Sequence, residues 1–384
     1  MKYYVLTGKR SADVHVAQLI EALRAVDSMA QVRCWAGDQA AAAGGEVVRN
    51  YDDMAGDAPE RWLGLSGSSR RVCQAFREEL IAWQPDTVIL VDFDGLNFRL
   101  PRVAQEIGIR VYGYISPRPW AWNTRRVQTV REFVDRMFVT IPFEEAFYEA
   151  QQCPATYVGH PNHEAAKQFQ PNPAFHVENG LDDRPIIAAL PGSSAHEVGR
   201  SLHFMLSILP PFMNYQFVVA GRSSVPRECY EPYRRNNIKI IYDQTFDLLC
   251  RARAAMVSPG LVSTSDDRPG AASLECALFD VPQVICYRNS YPTYLAVRTM
   301  AKVRYLSLVN LIAEREVVKE LLQENFRPAD LMKELELLLH DHHHRAEVRA
   351  GYAEVRELLG PPVASQRVAA ALQELLRTPV ASRL

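Results

Sequence analysis

The feature that most constrains this chain is a repeated alternation of short apolar runs with amphipathic segments. Three apolar runs near the start, at 3–6, 87–91 and 111–115, have the length of strands, and amphipathic segments follow the first two. Strands separated by helical segments pair in parallel, because each crossover returns the chain to the same end of the sheet. The alternation restarts at Ile186, with five further strand candidates at 186–190, 216–220, 238–242, 254–257 and 283–286. The sequence therefore predicts an α/β protein with two doubly wound, Rossmann-like lobes and a cleft between them.

Length and a polar stretch divide the chain further. Its 384 residues allow about two to three domains of average size. Residues 165–184 are polar and contain Pro171 and Pro173, as a connection between lobes often does. We therefore expect an N-terminal lobe at 1–164, a linker at 165–184, a C-terminal lobe at 185–345 and a helical tail at 346–384.

Helices in the second half are predicted from the spacing of apolar residues. Residues 329–376 are strongly helical in pattern, with leucines at about 3.6-residue spacing. Shorter helices are expected at 272–278 and 311–322. The sequence does not decide whether the final helices return to the first lobe or join a second chain, so a homodimer is left open.

Charge and hydropathy exclude several classes of protein. Lys and Arg total 43 against 45 Asp and Glu, so the formal net charge of -2 provides no field that would attract nucleic acid. Residues 1–8 resemble a strand rather than a signal peptide, and we expect a cytoplasmic protein. Since no apolar stretch approaches the roughly 18 residues of a membrane span, any membrane contact is expected to be peripheral.

In the first lobe, polar residues follow the predicted strands, where parallel sheets bind ligands. Asp92 and Asp94 follow the strand at 87–91, and either could serve as a general base; a turn cap by Asp94 or Asn97 is the alternative. Gly8, Ser11 and Asp13 form the first turn. They could present backbone amides to an anion or cap a helix.

A loop rich in aromatic residues and cations follows the third strand. It contains Ser116, Arg118, Trp120 and Trp122. Indole faces beside a guanidinium suit a sugar or lipid headgroup that carries phosphate. Packing of both indoles in the core of the lobe is the alternative.

In the second lobe, two turns lead into helices. Gly192, Ser193 and Ser194, with Glu197 in the first helical turn, could hold a pyrophosphate, although many α/β turns look similar. Gly270 begins the other turn. Glu275, one turn into the helix that follows, could hold the hydroxyls of a ribose or could simply favour the helix dipole.

A metal or other cofactor is not expected. His196 and Glu197 lack the second histidine of a zinc-protease motif. The run His342-His343-His344 lacks partner ligands at metal-binding spacing and reads as a solvated helical face.

These strings, taken in order, resemble the lipid-A-disaccharide synthase family over nearly the whole chain. The matching strings are Tyr114-Ile-Ser-Pro with Trp120-Ala-Trp122, Pro142-Phe143-Glu144, Gly159-His160-Pro161, Leu190-Pro-Gly-Ser193, Ala272-Ser-Leu-Glu275, Tyr305-Leu-Ser-Leu-Val-Asn310 and Glu320-Leu-Leu-Gln323.

The resemblance implies an inverting glycosyltransferase of the two-lobed GT-B architecture. Its donor would be UDP-2,3-diacylglucosamine and its acceptor 2,3-diacylglucosamine 1-phosphate, joined β-1,6 without a metal at the cytosolic face of a Gram-negative inner membrane. The second lobe would hold UDP through the Gly192 turn and Glu275, with Asn310 and Gln323 nearby. The first lobe would hold the acceptor and the base.

The chain departs from the family pattern at four places. Lys9 replaces an acid, Gly95 a second aspartate and Ser194 an arginine, while the loop at 257–270 is longer and more polar. Arg200, Arg222 or Arg268 could replace the missing cation. These departures leave two alternatives: a catalytically silent or weakened relative that binds nucleotide sugar or glycolipid, and a GT-B transferase with a different acceptor.

The segment at 54–76 is also more polar than the apolar helix that the family has there. We therefore expect weak, peripheral attachment to the membrane. Trp62, Leu63 and Leu65 would be the apolar contacts, and nearby arginines would meet phosphates.

Overall fold

The computed structural model describes residues 1–8, 10–50, 67–92, 99–116, 126–235, 237–259, 270–288 and 304–378. The chain divides into two compact units, one formed by Met1–Pro161 with Pro361–Leu384 and the other by Asn162–Gly360. Residues 165–184, expected as a linker, therefore lie in the second unit. The expected tail at 346–384 is shared between the two units.

The first unit is a parallel sheet covered by helices. Its described strands are β1 (Lys2–Leu6), β2 (Gln31–Ala36), β3 (Glu46–Asn50), β4 (Thr87–Val91), β5 (Arg110–Tyr114), β6 (Arg136–Val139) and β7 (Ala155–Tyr157). Its described helices are α1 (Arg10–Val26), α2 (Asp38–Ala42), α3 (Gly67–Trp83), α4 (Leu100–Glu106), α5 (Arg126–Phe133), α6 (Glu144–Ala150) and, near the end of the chain, α15 (Ala364–Arg377). The seven described strands pair in parallel in the order β3-β2-β1-β4-β5-β6-β7. The strand order reverses between β1 and β4, which is where sheets of this kind bind ligands.

A separate apolar core covers each face of this sheet. Along β1, Tyr3 and Val5 pack with residues of α1 and α15, whereas Tyr4 and Leu6 pack with residues of α3, α4 and α5. Alternate residues of a strand point to opposite faces, so a strand buried on both sides must be apolar throughout. All five residues of β4 are buried, which explains its continuous apolar run.

Helix α15 returns to the first unit. Leu372 is buried in the same apolar cluster as α1. Arg110 of β5 donates to the carbonyl oxygens of Leu375 and Leu376 at 2.6 and 2.9 Å. Of the two destinations left open for the last helix, the structure shows the first unit of its own chain, and a homodimer stays untested.

The second unit is also a parallel sheet with helices. Its described strands are β8 (Ile186–Leu190), β9 (Gln216–Gly221), β10 (Ile238–Tyr242), β11 (Ala252–Val257), β12 (Gln283–Tyr287) and β13 (Lys319–Leu322). The described helices are α7 (Pro161–Gln168), which begins at the boundary, α8 (Phe175–Glu178), α9 (Ala195–Met205), α10 (Thr245–Leu249), α11 (Ala272–Leu278), α12 (Leu308–Ala313), α13 (Pro328–His340) and α14 (His342–Leu359). These six strands are parallel in the order β10-β9-β8-β11-β12-β13.

The prediction of two parallel α/β lobes with helices at the C-terminus is confirmed, and each predicted strand lies within two residues of an observed one. The helix predicted at 311–322 is wrong. Helix α12 ends at Ala313, where Glu314 adopts a left-handed backbone with φ of 54°, and β13 follows at Lys319–Leu322. Among the described residues, no helix has the length and apolar character needed to cross a membrane.

Candidate functional site

Asp92 lies directly after β4, at the carboxyl edge of the first sheet. Its backbone N–H donates to the carbonyl of Tyr114 at 2.8 Å, and the residue is only 3% exposed. Its φ of 54° places it in the left-handed region, which aspartate tolerates better than most residues with side chains. A buried carboxylate on a strained backbone is a common feature of functional sites. Asp94 and Asn97 lie outside the described residues.

The neighbouring strand β5 ends in a similar way. Ile115, a β-branched residue, has a φ of 65°, and Ser116 follows it. The hydroxyls of Ser116 and Tyr148 share a hydrogen bond of 2.8 Å. Burial raises the pKa of the Tyr148 phenol well above its usual value, so the phenol stays protonated. Arg118, Trp120 and Trp122 lie outside the described residues.

Asp13, at the first turn of the fold, is bonded to the backbone. Its carboxylate is buried and accepts from Gly37 N at 2.8 Å and Gln39 N at 2.9 Å, at the start of α2. The side chain therefore holds the β2–α2 connection in place. Ser11 is exposed on the first turn of α1, and Gly8 follows β1.

The topology brings part of the predicted acceptor set together. Strands β1, β4 and β5 are adjacent and parallel, so Gly8, Asp92 and Ser116 follow their carboxyl ends at one edge of the sheet. The sequence alone does not give the order of these strands in the sheet. It places the three residues together only if the doubly wound strand order is assumed.

In the second unit, the turn after β8 is closed by a carboxylate. Ser194 is the N-cap of α9, and its hydroxyl accepts from Glu197 N at 3.3 Å. In return, Glu197 Oε2 accepts from Ser193 N at 2.9 Å and from Ser194 N at 3.2 Å. This capping box uses two of the amides predicted to receive the diphosphate. An incoming phosphate must therefore displace the Glu197 carboxylate from these amides or bind beside it.

Gly192 shapes the same turn. Its φ is +112°, which favours glycine, and a Cβ placed there would lie 2.7 Å from Glu197 Cβ. The turn and the carboxylate thus fit only if residue 192 has no side chain.

Glu275 lies one turn into α11 and is 9% exposed. Asn162 Nδ2 donates to Glu275 Oε1 at 2.8 Å. Burial raises the pKa of Glu275, and the charge of Arg222 together with the Asn162 hydrogen bond opposes that rise. Gly270, two residues before the helix, donates its N–H to the carbonyl of Pro259 at 2.6 Å.

Asn310 is fully buried, and both polar atoms of its side chain form hydrogen bonds within the protein. Its Oδ1 accepts from Val317 N and Val318 N at 2.8 and 2.9 Å, and its Nδ2 donates to Val318 O and to Glu320 Oε1, both at 2.9 Å. The amide therefore holds the connection from α12 to β13. Gln323, directly after β13, has a φ of 48° and is 6% exposed.

Three residues that were not predicted as site residues, Glu320, Ser273 and Asn162, form hydrogen bonds within the same loops and helices. Glu320 accepts from Leu306 N and from the backbone and hydroxyl of Ser307 at 2.8 to 3.1 Å. Ser273 Oγ accepts from Leu308 N at 3.1 Å. Asn162 directly follows the string Gly159-His160-Pro161, and that position was the available signal for it.

The parallel strands place several residues that were predicted for the donor side at one edge of the second sheet. The Gly192 turn, Arg222 and Gln323 follow β8, β9 and β13. Carboxylate, amide and guanidinium groups at such an edge can bind the hydroxyls and phosphates of a nucleotide. Over the described ranges, no group of three or more His, Cys, Asp and Glu side chains could hold a metal ion.

Comparison with known proteins identifies the family. A family model described as lipid-A-disaccharide synthetase matches residues 3–374. The chain belongs to the lipid-A-disaccharide synthase family. A lipid-A-disaccharide synthase of Geobacter sulfurreducens is 30% identical over 381 residues, which are 97% of this chain and 96% of that protein. The sequence-based prediction of the family and of its glycosyltransferase class is thereby confirmed.

Solved structures show the same fold. A UDP-N-acetylglucosamine 2-epimerase homologue from Listeria monocytogenes has a TM-score of 0.68 at 16% identity, with 98% of this chain and 97% of that chain covered. The calicheamicin glycosyltransferase CalG4 has a TM-score of 0.57 at 16% identity, with 99% of each chain covered. These likenesses support the predicted two-lobed architecture.

Proposed function

We propose that the protein joins UDP-2,3-diacylglucosamine to 2,3-diacylglucosamine 1-phosphate, forms a β-1,6 linkage and releases UDP. The observation that carries the proposal is the family match over residues 3–374, which includes both units. The catalytically silent relative and the transferase with another acceptor are not favoured by any contact described above.

The reaction removes one proton from the acceptor hydroxyl and releases UDP from the donor. The acceptor hydroxyl oxygen forms a bond to the anomeric carbon from the side opposite UDP, while the bond from that carbon to the diphosphate oxygen breaks. The electron pair of the broken bond stays on UDP. Asp92 receives the hydroxyl proton as general base, and its burial at the carboxyl edge of β4 supports this role.

On the donor side, we infer that Glu275 meets the ribose and that the Gly192 turn meets the diphosphate. Because Ser194 stands where the family has arginine, another cation must balance the charge that develops on UDP. Arg222 is the best-supported candidate, since it follows β9 and its charge already acts on Glu275. Asn310 contributes by holding the α12–β13 connection and, through it, the position of Gln323.

We further propose weak, peripheral association with the cytosolic face of the inner membrane. This rests on the acylated substrates and on Trp62, Leu63 and Leu65, which lie outside the described residues. Cosedimentation with vesicles that contain anionic lipid should be partial and should weaken with added salt. Retention that is complete and insensitive to salt would contradict the proposal.

The direct test uses the purified full chain with both acylated substrates. UDP release and disaccharide should appear together, in equal amounts, and only when donor and acceptor are both present. If UDP is released only when a different acceptor is supplied, the assignment of 2,3-diacylglucosamine 1-phosphate as acceptor is wrong. Measurable UDP binding without any product would contradict the proposal and favour a catalytically silent relative.

A further inference from the structure

Glu275 is an ionisable side chain in an environment that disfavours its charged form. A carboxylate removed from water is destabilised unless hydrogen bonds and an opposite charge compensate it. Glu275 is 9% exposed, and the two residues that favour its ionised form, Asn162 and Arg222, are distant from it in sequence. The arrangement is therefore unlike a surface glutamate that merely favours a helix dipole.

The first compensating residue is Asn162, the second residue of α7. Its Nδ2 donates to Glu275 Oε1 at 2.8 Å across a sequence separation of 113 residues, and Asn162 is itself 9% exposed. A buried amide on a separate helix fixes the rotation of the carboxylate, since a rotated carboxylate would lose the bond. One oxygen is thus committed to Asn162, and the orientation of the other is set by the first.

The second compensating residue is Arg222, at the end of β9. Its positive charge favours the ionised form of Glu275. The backbone N–H of Arg222 donates to the Tyr230 hydroxyl at 3.1 Å, which fixes the start of this loop. Glu275 therefore has an amide that fixes its orientation and a cation that favours its charge.

We propose that Asn162 is a positioning residue of the nucleotide site, which holds Glu275 so that its carboxylate binds the two ribose hydroxyls together. The inference deepens the proposed function and rests on it, because it requires that Glu275 meets the ribose. Two adjacent hydroxyls are recognised well only by acceptors in fixed positions. Asn162 thereby determines the preference for ribose over deoxyribose without contacting the nucleotide.

The test compares the binding of UDP and 2′-deoxy-UDP to the full chain by isothermal titration calorimetry. The wild type should prefer UDP by about tenfold or more. Asn162→Leu should weaken UDP binding by about tenfold and 2′-deoxy-UDP binding much less, because only UDP offers both hydroxyls. The preference for ribose should therefore nearly disappear.

Two further variants separate positioning from folding. Asn162→Leu leaves a buried carboxylate oxygen unpaired and can destabilise the unit, so Asn162→Ser, which leaves room for water, is measured beside it with circular dichroism. Asn179→Leu is the matched control. Asn179 is a half-buried asparagine of the same unit whose Nδ2 donates to Phe175 O at 2.9 Å and Gln244 Oε1 at 3.2 Å. It should keep the wild-type preference.

The outcomes are distinct. If the wild type prefers UDP and both Asn162 variants fold and keep the same preference for UDP, the inference is overturned. The proposed function stays intact in that case. Equal weakening of both nucleotides, or loss of preference in Asn179→Leu, also overturns it, because either would indicate a general structural effect. A wild type that binds neither nucleotide contradicts the proposed function itself and this inference with it.

Discussion

The two sheets place their left-handed residues after different strands. In the first sheet, Asp92 and Ile115 follow the adjacent strands β4 and β5 near the middle of the sheet. In the second sheet, Asp243 and Gln323 follow the outermost strands β10 and β13, whereas the Glu197 carboxylate closes the turn after the central strand β8. The connection that enters β13 is also held by side chains that bind backbone amides, those of Asn310 and Glu320.

This difference indicates different demands on the two edges. Strain in the backbone aims a single side chain, such as the Asp92 carboxylate, in a direction that an unstrained strand end would not allow. A network of side-chain bonds instead gives a rigid surface, as suits a ligand that is held at several points. We therefore expect changes at the carboxyl edge of the first sheet to affect turnover most, and changes to the amide-binding side chains of the second unit to affect stability and nucleotide affinity.

The largest effect is expected for Asp92→Asn. Asparagine tolerates the left-handed backbone as well as aspartate does, so the fold should be kept, but the amide cannot accept the hydroxyl proton. Turnover should fall by roughly a hundred- to ten-thousandfold. The affinity for UDP should stay at the wild-type value, because UDP is assigned to the other unit.

The measurements are kcat from disaccharide formation, UDP affinity by calorimetry and the thermal midpoint. Asp94→Asn is measured in parallel, since the sequence left both aspartates open as the base. If Asp92→Asn turns over normally and Asp94→Asn does not, the base is Asp94. If neither variant loses activity, neither aspartate is the base.

In the second unit, Glu320→Ala should cost about 3 kcal/mol of stability, because it leaves the buried Leu306 and Ser307 amides and the Asn310 side chain short of an acceptor. The matched control is Glu316→Ala. Glu316 lies on the same connection, and its ion pair with Lys319, at 3.0 Å, has about half of each side chain exposed. Such a pair contributes at most about 1 kcal/mol.

Chemical denaturation with urea measures both changes. A loss for Glu320→Ala that is no greater than the loss for Glu316→Ala would mean that water replaces the lost acceptor. In that case the side chains around the α12–β13 connection do not form the rigid network described above.

The sequence predicted the central strands of the two sheets, such as β4 and β8, because these strands are apolar on both faces. Four strands of the first sheet, β2, β3, β6 and β7, were not predicted. Strand β3 has exposed or half-buried residues of mixed polarity, and β6 and β7 are only four and three residues long. The sequence-based prediction also merged α12 with β13. The left-handed Glu314 that ends the helix, and the Asn310 amide that supports the turn, depend on contacts between residues rather than on periodicity.

The candidate site was predictable to the same extent as the fold: positions along the chain could be predicted, but contacts between distant residues could not. Residues that stand after strands, such as Asp92 and Gly192, could be named from the sequence, since a doubly wound sheet places all strand ends at one edge. Their partners could not. Asn162 contacts Glu275 only because the fold brings α7 and α11 within hydrogen-bond distance of each other. Glu197 binds the amides of Ser193 and Ser194, which the sequence-based prediction assigned to phosphate.

The smallest expected effect tests that last contact. Gly192→Ala should cost about 1 to 3 kcal/mol, because alanine is strained at a φ of +112° and its Cβ would press on Glu197. Gly199→Ala is the matched control, since Gly199 lies within α9, has open space at its Cβ position and should gain up to about 1 kcal/mol. Urea unfolding gives both values, and calorimetry with UDP shows whether the displaced carboxylate frees the amides of Ser193 and Ser194. Tighter UDP binding by Gly192→Ala, despite its lower stability, would indicate that Glu197 competes with the diphosphate for this turn. Weaker binding would indicate that the carboxylate holds the turn in the shape that the diphosphate requires.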